Sequence, residues 1–460
     1  MKKQKSIIPY LAFFILLGLL VSLSINSISH SGRKAFWRDE AYSYEHSIST
    51  GSLLETITKG AKSQGSPSPL DYVLLKGMYN LRSPLKYLSL QPHQYMRVHY
   101  LFAIWIVLLY LFKKIFKQDS LKGIFLFALS SGLFLLNSTI YYYSSEMRPY
   151  SLWATLSLLV LFLIQYRKSS KIGWTVAILG LSFTTTASLF QVTSIVIAYL
   201  LVEMFSQKKI FIKPKFDYSL LILFLGVLVN LFYIFKIPSA SWGQSPTWDR
   251  FFKFWIPYIP VIITGILLTW HHIKTKHKNK AMATLTAAGW LMFGPFSFFL
   301  TLKRGFFLDP RQYVYYHPIF FLYGFQLAEI LFSKVRKIEF SRVLVILSII
   351  PFSWTLVRHL NPSLPLQAIR TIVLDDPIAL PVNYSKIAPL VPNSIPAQNE
   401  FIPIDQYRLS NKAAKTNLKL WWDYLDIIYP RGEYPRDESK VLKVRARGYS
   451  IELVDIVPAQ

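Results

Sequence analysis

Ile7-Ile8-Pro9-Tyr10-Leu11-Ala12-Phe13-Phe14-Ile15-Leu16-Leu17-Gly18-Leu19-Leu20-Val21-Ser22-Leu23-Ser24-Ile25-Asn26 is the stretch that decides the fold, because it carries no charge over a length that crosses a bilayer. Lys2, Lys3 and Lys5 precede it. A secretory signal has the same order of basic and apolar segments. Its apolar core is shorter, however, and ends in a small-residue cleavage site, which Ser27-Ile28-Ser29-His30-Ser31 matches poorly. The run therefore reads as a retained anchor with the N-terminus in the cytosol. Comparable runs recur at about 98–112, 121–138, 150–165, 172–185, 188–205, 218–236, 251–270, 281–300, 313–332 and 342–358, about eleven in all. The two beside Thr184-Thr185-Thr186 are short, so a single broken or tilted pair is an alternative division there.

Composition points the same way. Of 460 residues, 52% are hydrophobic, 16% aromatic and only 16% charged, and the mean hydropathy is +0.33. This is too apolar for an ordinary soluble domain. The expected class is a mainly α, polytopic membrane protein. A net charge of +27 would suggest nucleic acid in a soluble chain, so its distribution matters. Residues 1–358 hold 39 of the 51 Lys and Arg but 13 of the 24 Asp and Glu, whereas 359–460 hold 12 and 11. The excess belongs to the membrane part, where orientation and anionic headgroups account for it without a nucleic-acid partner. With no cysteine in the chain, disulfides, thiolate metal sites and a thiol nucleophile are excluded.

Basic residues also fix an orientation. Lys2/Lys3/Lys5, Lys113/Lys114/Lys117/Lys122, Arg167/Lys168/Lys171, Lys208/Lys209/Lys213/Lys215, Lys274/Lys276/Lys278/Lys280 and Lys334/Arg336/Lys337/Arg342 fall at every second connection, as cytosolic loops should. An odd number of spans then leaves the C-terminus outside. The intervening connections, 27–97, 137–148, 184–188, 238–250 and 301–312, are rich in aromatics, Ser and Pro. They gather Asp39, Glu40, Glu146, Arg148, Asp249, Asp309 and Arg311 on one side. Such clustering points to a site at the outer boundary of the plasma or inner membrane. Within 27–97, the breaker Gln64-Gly65-Ser66-Pro67-Ser68-Pro69 and the spacing of Leu70, Val73, Leu74 and Met78 predict two or three short helices along the outer face. Residues 1–358 thus form a membrane domain, and 359–460 a small extracytoplasmic α+β domain. That tail has a Pro-rich start, a helical patch at 418–425 whose Trp421-Trp422 reads as packing on its own domain, with a grip on a sugar or membrane surface as the alternative, and β-like runs at 441–446 and 449–457.

The first outer segment opens on Phe36-Trp37-Arg38-Asp39-Glu40-Ala41-Tyr42-Ser43-Tyr44. Trp37 to Tyr42, coming after the first span, resembles the first outer loop of the C-type-fold (GT-C) integral membrane glycosyltransferases, which take sugar from a polyprenyl phosphate. Protein O-mannosyltransferases and lipid A aminoarabinose transferases are members. Pro67-Ser68-Pro69-Leu70-Asp71-Tyr72-Val73-Leu74-Leu75 resembles the family's Pro-Pro-Leu-Tyr-Tyr segment, and Tyr95-Met96-Arg97 precedes the second span where the family has an Arg. Glu146-Met147-Arg148-Pro149-Tyr150 is similar to its Glu-x-Arg-Pro-Tyr motif, and Asp309-Pro310-Arg311-Gln312-Tyr313 to its late Pro-Arg-Tyr motif. Ser66 stands where many members have His, and Thr184-Thr185-Thr186 replaces a Thr-His-Tyr type of turn. The resemblance covers roughly residues 1–335. It implies a hexosyl- or pentosyltransferase with a polyprenyl-phosphate sugar donor and an extracytoplasmic protein, lipid or polysaccharide acceptor.

The chemistry of such a transfer needs a base for the acceptor hydroxyl and cations for the departing phosphate. Asp39 is the candidate base. With an ordinary pKa of about 3.9 it accepts a proton as the bond to the sugar forms rather than beforehand. Glu40 orients it or the acceptor, and Tyr42, Glu146 and Tyr313 support the site. Arg97, Arg148 and Arg311 are assigned to the phosphate, whose single ester carries less charge than a nucleotide diphosphate. No cofactor is required; a divalent metal, if used, falls to Asp39 and Glu40. Without an evident covalent nucleophile, a single inverting displacement is the simpler course. Bland readings stand beside these. Glu146 is equally placed to complement a helix N-terminus before Pro149, and Arg97 and Arg311 to snorkel at an interface. His271, His272 and His277 lie in a Lys-rich cytosolic connection away from the site. The competing classes are a transporter or flippase of a lipid-linked sugar, disfavoured by the lack of an inverted repeat, and a silent scaffold.

Overall fold

The computed structural model describes residues 7–33, 48, 52–63, 69–82, 92–118, 121–166, 171–207, 218–234, 248–304, 313–333, 340–360, 440–447 and 450–458. Every apolar run forms helix. In chain order the helices are α1 (Ile8–Arg33), α2 (Leu53–Ser63), α3 (Pro69–Asn80), α4 (Pro92–Gln118), α5 (Leu121–Ser130), α6 (Gly132–Leu135), α7 (Ser138–Ser144) and α8 (Tyr150–Gln165). They continue with α9 (Lys171–Thr184), α10 (Ser188–Gln207), α11 (Tyr218–Ile234), α12 (Trp248–Trp255), α13 (Ile259–Lys274), α14 (Lys278–Arg304), α15 (Tyr316–Leu331), α16 (Phe340–Leu347) and α17 (Ile349–Leu360). A hairpin of β1 (Lys440–Arg447) and β2 (Ser450–Pro458) lies where the two β-like runs are expected, with Lys443 opposite Asp455 and Arg445 opposite Glu452. The helical patch at 418–425 lies outside the described residues.

Contacts order these helices between two ends. In α1 and α4, Ser31 meets Arg97, Ser24 meets Trp105 and Phe13 meets Phe112, so the two run antiparallel. Gln191 with Trp290 and Glu203 with Lys278 set α10 against α14 in the same way. Tyr316 with Leu291 and Tyr323 with Thr284 do so for α14 and α15. α9 and α10 are separate helices joined by Thr185 to Ala187, which removes the alternative of one broken span; Ser188 closes the turn on the Thr185 carbonyl at 2.5 Å. One end of the bundle collects Lys113, Lys117, Lys122, Lys171, Lys274, Lys278, Lys280 and Arg342. Here Glu203 pairs with Lys278, and Glu329 with Lys280 at 2.8 Å. Among the described residues, the polar connections 137–148 and 184–188 lie at the other end.

At the centre stands α8, buried on every face from Ser151 to Gln165, as an all-round apolar helix requires. Phe127, Phe162, Phe321 and Phe325 interlock α5, α8 and α15. The outer faces are the reverse of a soluble protein: Phe14, Ile106, Ile172, Phe224 and Ile350 each expose more than half of their surface. Apolar exposure of this extent marks contact with another apolar phase. Residues 8–28, 95–117, 188–207 and 256–274 are each long and apolar enough to cross a bilayer, which suggests a multi-pass membrane protein.

Local chemistry sets the ends of the elements. Ser52 and Glu55 form a reciprocal capping box at the start of α2, with bonds of 3.3 and 2.6 Å. Asn137 caps α7 through the Thr139 amide at 2.9 Å, so part of the 137–148 connection is helical. At the end of α13 the His277 amide bonds the His272 carbonyl at 2.7 Å and the Lys276 amide bonds Ile273 at 3.1 Å. This is a Schellman closure with Lys276 in the left-handed region at φ 60°. Pro295 interrupts α14, and its missing N–H frees the Leu291 carbonyl. Tyr316 donates to that carbonyl at 3.0 Å.

Candidate functional site

The site end is built on the last turns of α1. Ser27 and Ser31, one turn apart, face the same neighbours. Ser27 Oγ lies 2.6 Å from Ser144 Oγ at the end of α7, and the Ser31 carbonyl accepts from Arg97 Nη1 at 3.4 Å. The two motifs carrying Arg97 and Glu146-Arg148 therefore meet the same face of the helix that leads into Asp39-Glu40. Asp39, Glu40, Tyr42 and Arg311 lie outside the described residues.

Arg97 is 1% exposed, and Glu146 is equally buried. A guanidinium and a carboxylate are kept in such places only with partners, because burying either alone is costly. Arg148 stands over the Tyr150 ring at 5.9 Å, and Tyr150 packs on Tyr143 with centroids 4.8 Å apart. Pro149 opens α8, and its carbonyl takes the Trp153 amide at 2.8 Å, so the Glu146-Met147-Arg148 corner sits directly on the buried central helix. Tyr313 is buried, edge-on to Trp255 with centroids 4.8 Å apart. It begins the Tyr313-Val314-Tyr315-Tyr316 anchor that follows the late motif. Trp255 in turn fits against Gly294, where a Cβ would run into the indole.

Residues not singled out by sequence complete this end. Asp71, in the first turn of α3, is 3% exposed; Tyr100 donates to its Oδ1 at 2.7 Å, and His99 Nε2 stands 4.0 Å away. The signal was present, since a carboxylate inside the otherwise apolar run 69–75 calls for a partner. Its position in the motif, where the resembled family has an aromatic, gave no role to look for. Lys76, one helical face along, donates to the Ile48 carbonyl at 2.7 Å. Burial, and the charge of Arg82 after it, hold its ammonium below the ordinary lysine range. The segment bearing Asp39-Glu40 is thus flanked by two described anchors, Ser31 with Arg97 and Ile48 with Lys76.

The histidines at the basic end are structural in form. His271 and His272 belong to the last turn of α13 rather than to a loop: His271 meets Ser341 at 3.2 Å, and His272 meets Gln326 at 3.3 Å. Among the described residues no three potential metal ligands cluster. Compared with family models, curated proteins and solved structures, the chain gives no match.

Proposed function

We propose that the chain is a membrane glycosyltransferase of the GT-C kind, moving a sugar from a polyprenyl-phosphate donor to an extracytoplasmic acceptor. The observation that carries this reading is the convergence on one end of the bundle of Arg97, Glu146, Arg148 and Asp71 with both anchors of the Asp39-Glu40 segment, opposite the basic end. By the positive-inside rule the basic end is cytosolic, so all of the apolar runs, about eleven, cross the membrane and the site faces outward. That is where a lipid-borne donor and a polar acceptor meet.

In this mechanism Asp39 takes the proton of the acceptor hydroxyl as its oxygen bonds to the anomeric carbon, while the glycosyl bond to phosphate breaks. Glu40 orients the base, and Tyr42 and Tyr313 wall the sugar. Arg148 and Arg311 neutralise the departing phosphate. Arg97, bonded to the end of α1, adds positive potential from below. A divalent metal, if one takes part, is held by Asp39 and Glu40. The tail from residue 359 bears on acceptor choice, so deleting 365–460 is expected to change the acceptor rather than the donor.

The test is transfer from a panel of radiolabelled polyprenyl-phosphate sugars in membranes carrying wild type or Asp39→Asn, with and without chelator. Label reaching an acceptor with wild type, and roughly 100-fold less or lower with the variant at equal insertion, is expected from the loss of a general base. Movement of the lipid-linked sugar across the bilayer without transfer, unaffected by Asp39→Asn, would replace this reading with that of a flippase.

A further inference from the structure

His99 is a buried imidazole whose chemistry is left unspent. It is 8% exposed, and neither ring nitrogen has a hydrogen-bond partner. The 4.0 Å between Nε2 and Asp71 Oδ1 exceeds the ~2.7–2.9 Å of a charge-assisted hydrogen bond. Both groups are nevertheless held in place. Tyr100 fixes the carboxylate at 2.7 Å, and its ring lies against the imidazole with centroids 3.8 Å apart. A pair kept only for packing would close on itself, since each unmade bond of a buried polar atom costs about 1–3 kcal/mol. Native proteins leave such atoms to an ordered water or to a partner that function supplies.

The spacing identifies that partner by its chemistry. One oxygen at ~2.8 Å from both atoms fits between them at close to a right angle. It must donate to the carboxylate and accept from Nε2–H in that tautomer. A hydroxyl does both at a single atom. In that tautomer, which the carboxylate facing Nε2 favours, a phosphate oxygen has no proton to give Asp71 and an ammonium has no lone pair to offer His99. We infer that Asp71 and His99 form a hydroxyl-binding subsite for a saccharide, reached from the site end of the bundle, with Tyr100 as the positioning residue. That the saccharide belongs to the transferred donor rests on the proposed function; that the pair receives a hydroxyl does not.

The chain has no cysteine, so Leu74→Cys, at a partly buried residue one turn along α3 from Asp71, creates a single reporter thiol that leaves both members of the pair in place, and Leu54→Cys, at a residue 71% exposed on α2, serves as control. Both are reacted in proteoliposomes with a membrane-impermeant methanethiosulfonate. The probes are free mannose, glucose and galactose at high concentration, a short-chain polyprenyl-phosphate hexose of each kind, and the same polyprenyl phosphate without sugar. The expected result is that both thiols react and that at least one sugar-bearing probe slows the thiol at position 74 tenfold or more without slowing the control. Asp71→Asn, and separately His99→Gln, in the same chain should remove most of that protection. Protection by the sugar-free phosphate alone overturns the inference. So does a thiol at position 74 that stays inert while the control reacts, protection by no sugar, or protection that survives both replacements. If the Leu74→Cys chain aggregates, the same series is run on Val73→Cys. Because free hexoses are included, protection at position 74 is scored even where Asp39→Asn has disproved transfer, and its absence is scored even where transfer is found.

Discussion

Replacing Tyr316 by Phe removes one oxygen, and the surroundings of that oxygen define its role. Pro295 has no amide hydrogen, so the Leu291 carbonyl lacks its helical donor four residues on; the Tyr316 hydroxyl, fully buried, supplies the bond at 3.0 Å. Tyr315 reaches the Trp290 carbonyl at 3.4 Å, but that carbonyl still has the Gly294 amide, so its loss matters less. An orphaned buried carbonyl costs about 1–3 kcal/mol in soluble proteins, while side-chain hydrogen bonds within membranes average about 0.6 and reach about 1.7. The expected cost of Tyr316→Phe is therefore about 1–1.5 kcal/mol. The assay is denaturant unfolding in mixed micelles, run as a four-way cycle with Pro295→Ala, which restores the amide. In the Pro295→Ala background Tyr316→Phe should cost under about 0.5 kcal/mol. Equal losses in both backgrounds would refute the reasoning, because the phenol would then be acting on something other than the carbonyl that proline frees.

Lys276→Gly should stabilise by up to about 1 kcal/mol, since a residue without Cβ relieves the left-handed position that closes α13; an unchanged or lower unfolding midpoint counts against the Schellman closure. Gly294→Ala should destabilise by about 1–3 kcal/mol by driving a methyl into Trp255, and the penalty should largely vanish when Trp255→Ala is added. Burial, with Lys280 beside it, lowers the pKa of His277 in the folded chain. The unfolded chain therefore binds the extra proton first, and stability falls as pH drops from about 6.5 through the folded value. Thermal unfolding of His277→Gln should show a shallower fall between about pH 7.5 and 5 than wild type, and parallel curves would exclude the histidine as the source.

The helices were legible because their signal is local. A charge-free run of bilayer length has one solution, and basic residues at alternate connections sort the ends before any contact is known. The two β-like runs at 441–446 and 449–457 were legible as well, while their antiparallel pairing came from the structure. What sequence could not supply was pairing between distant segments. Asp71 and His99 are far apart in the chain and meet only because α3 folds back on the start of α4. The bond from Arg97 to the Ser31 carbonyl likewise joins segments distant in the chain. The turn at Thr185 was legible, with a broken span as the alternative, whereas the interruption at Ser348 was invisible for a different reason: short apolar helices on either side of a break have the composition of one longer helix.

The two ends of the bundle use their charges differently, and this bears on transport against transfer. At the basic end the acids are spent: Glu203 on Lys278 and Glu329 on Lys280. In the first turns of α8 and α10, Gln191 takes the Trp153 indole at 2.6 Å, and it gives to Ser157 at 3.1 Å. Gln326 likewise gives to Gln165 at 2.8 Å and takes from Thr284 at 2.8 Å. These groups join α8, α10, α14 and α15 to one another, and a polar headgroup passing between those helices would have to break them one after another. Alternating access favours weak contacts between bodies that move, with polar groups lining the path. Asp71 and His99, the described pair held apart at a distance that admits a ligand, stand at one end only. A site that works on a lipid headgroup from one face needs that asymmetry, and a path that carries the headgroup across needs its opposite.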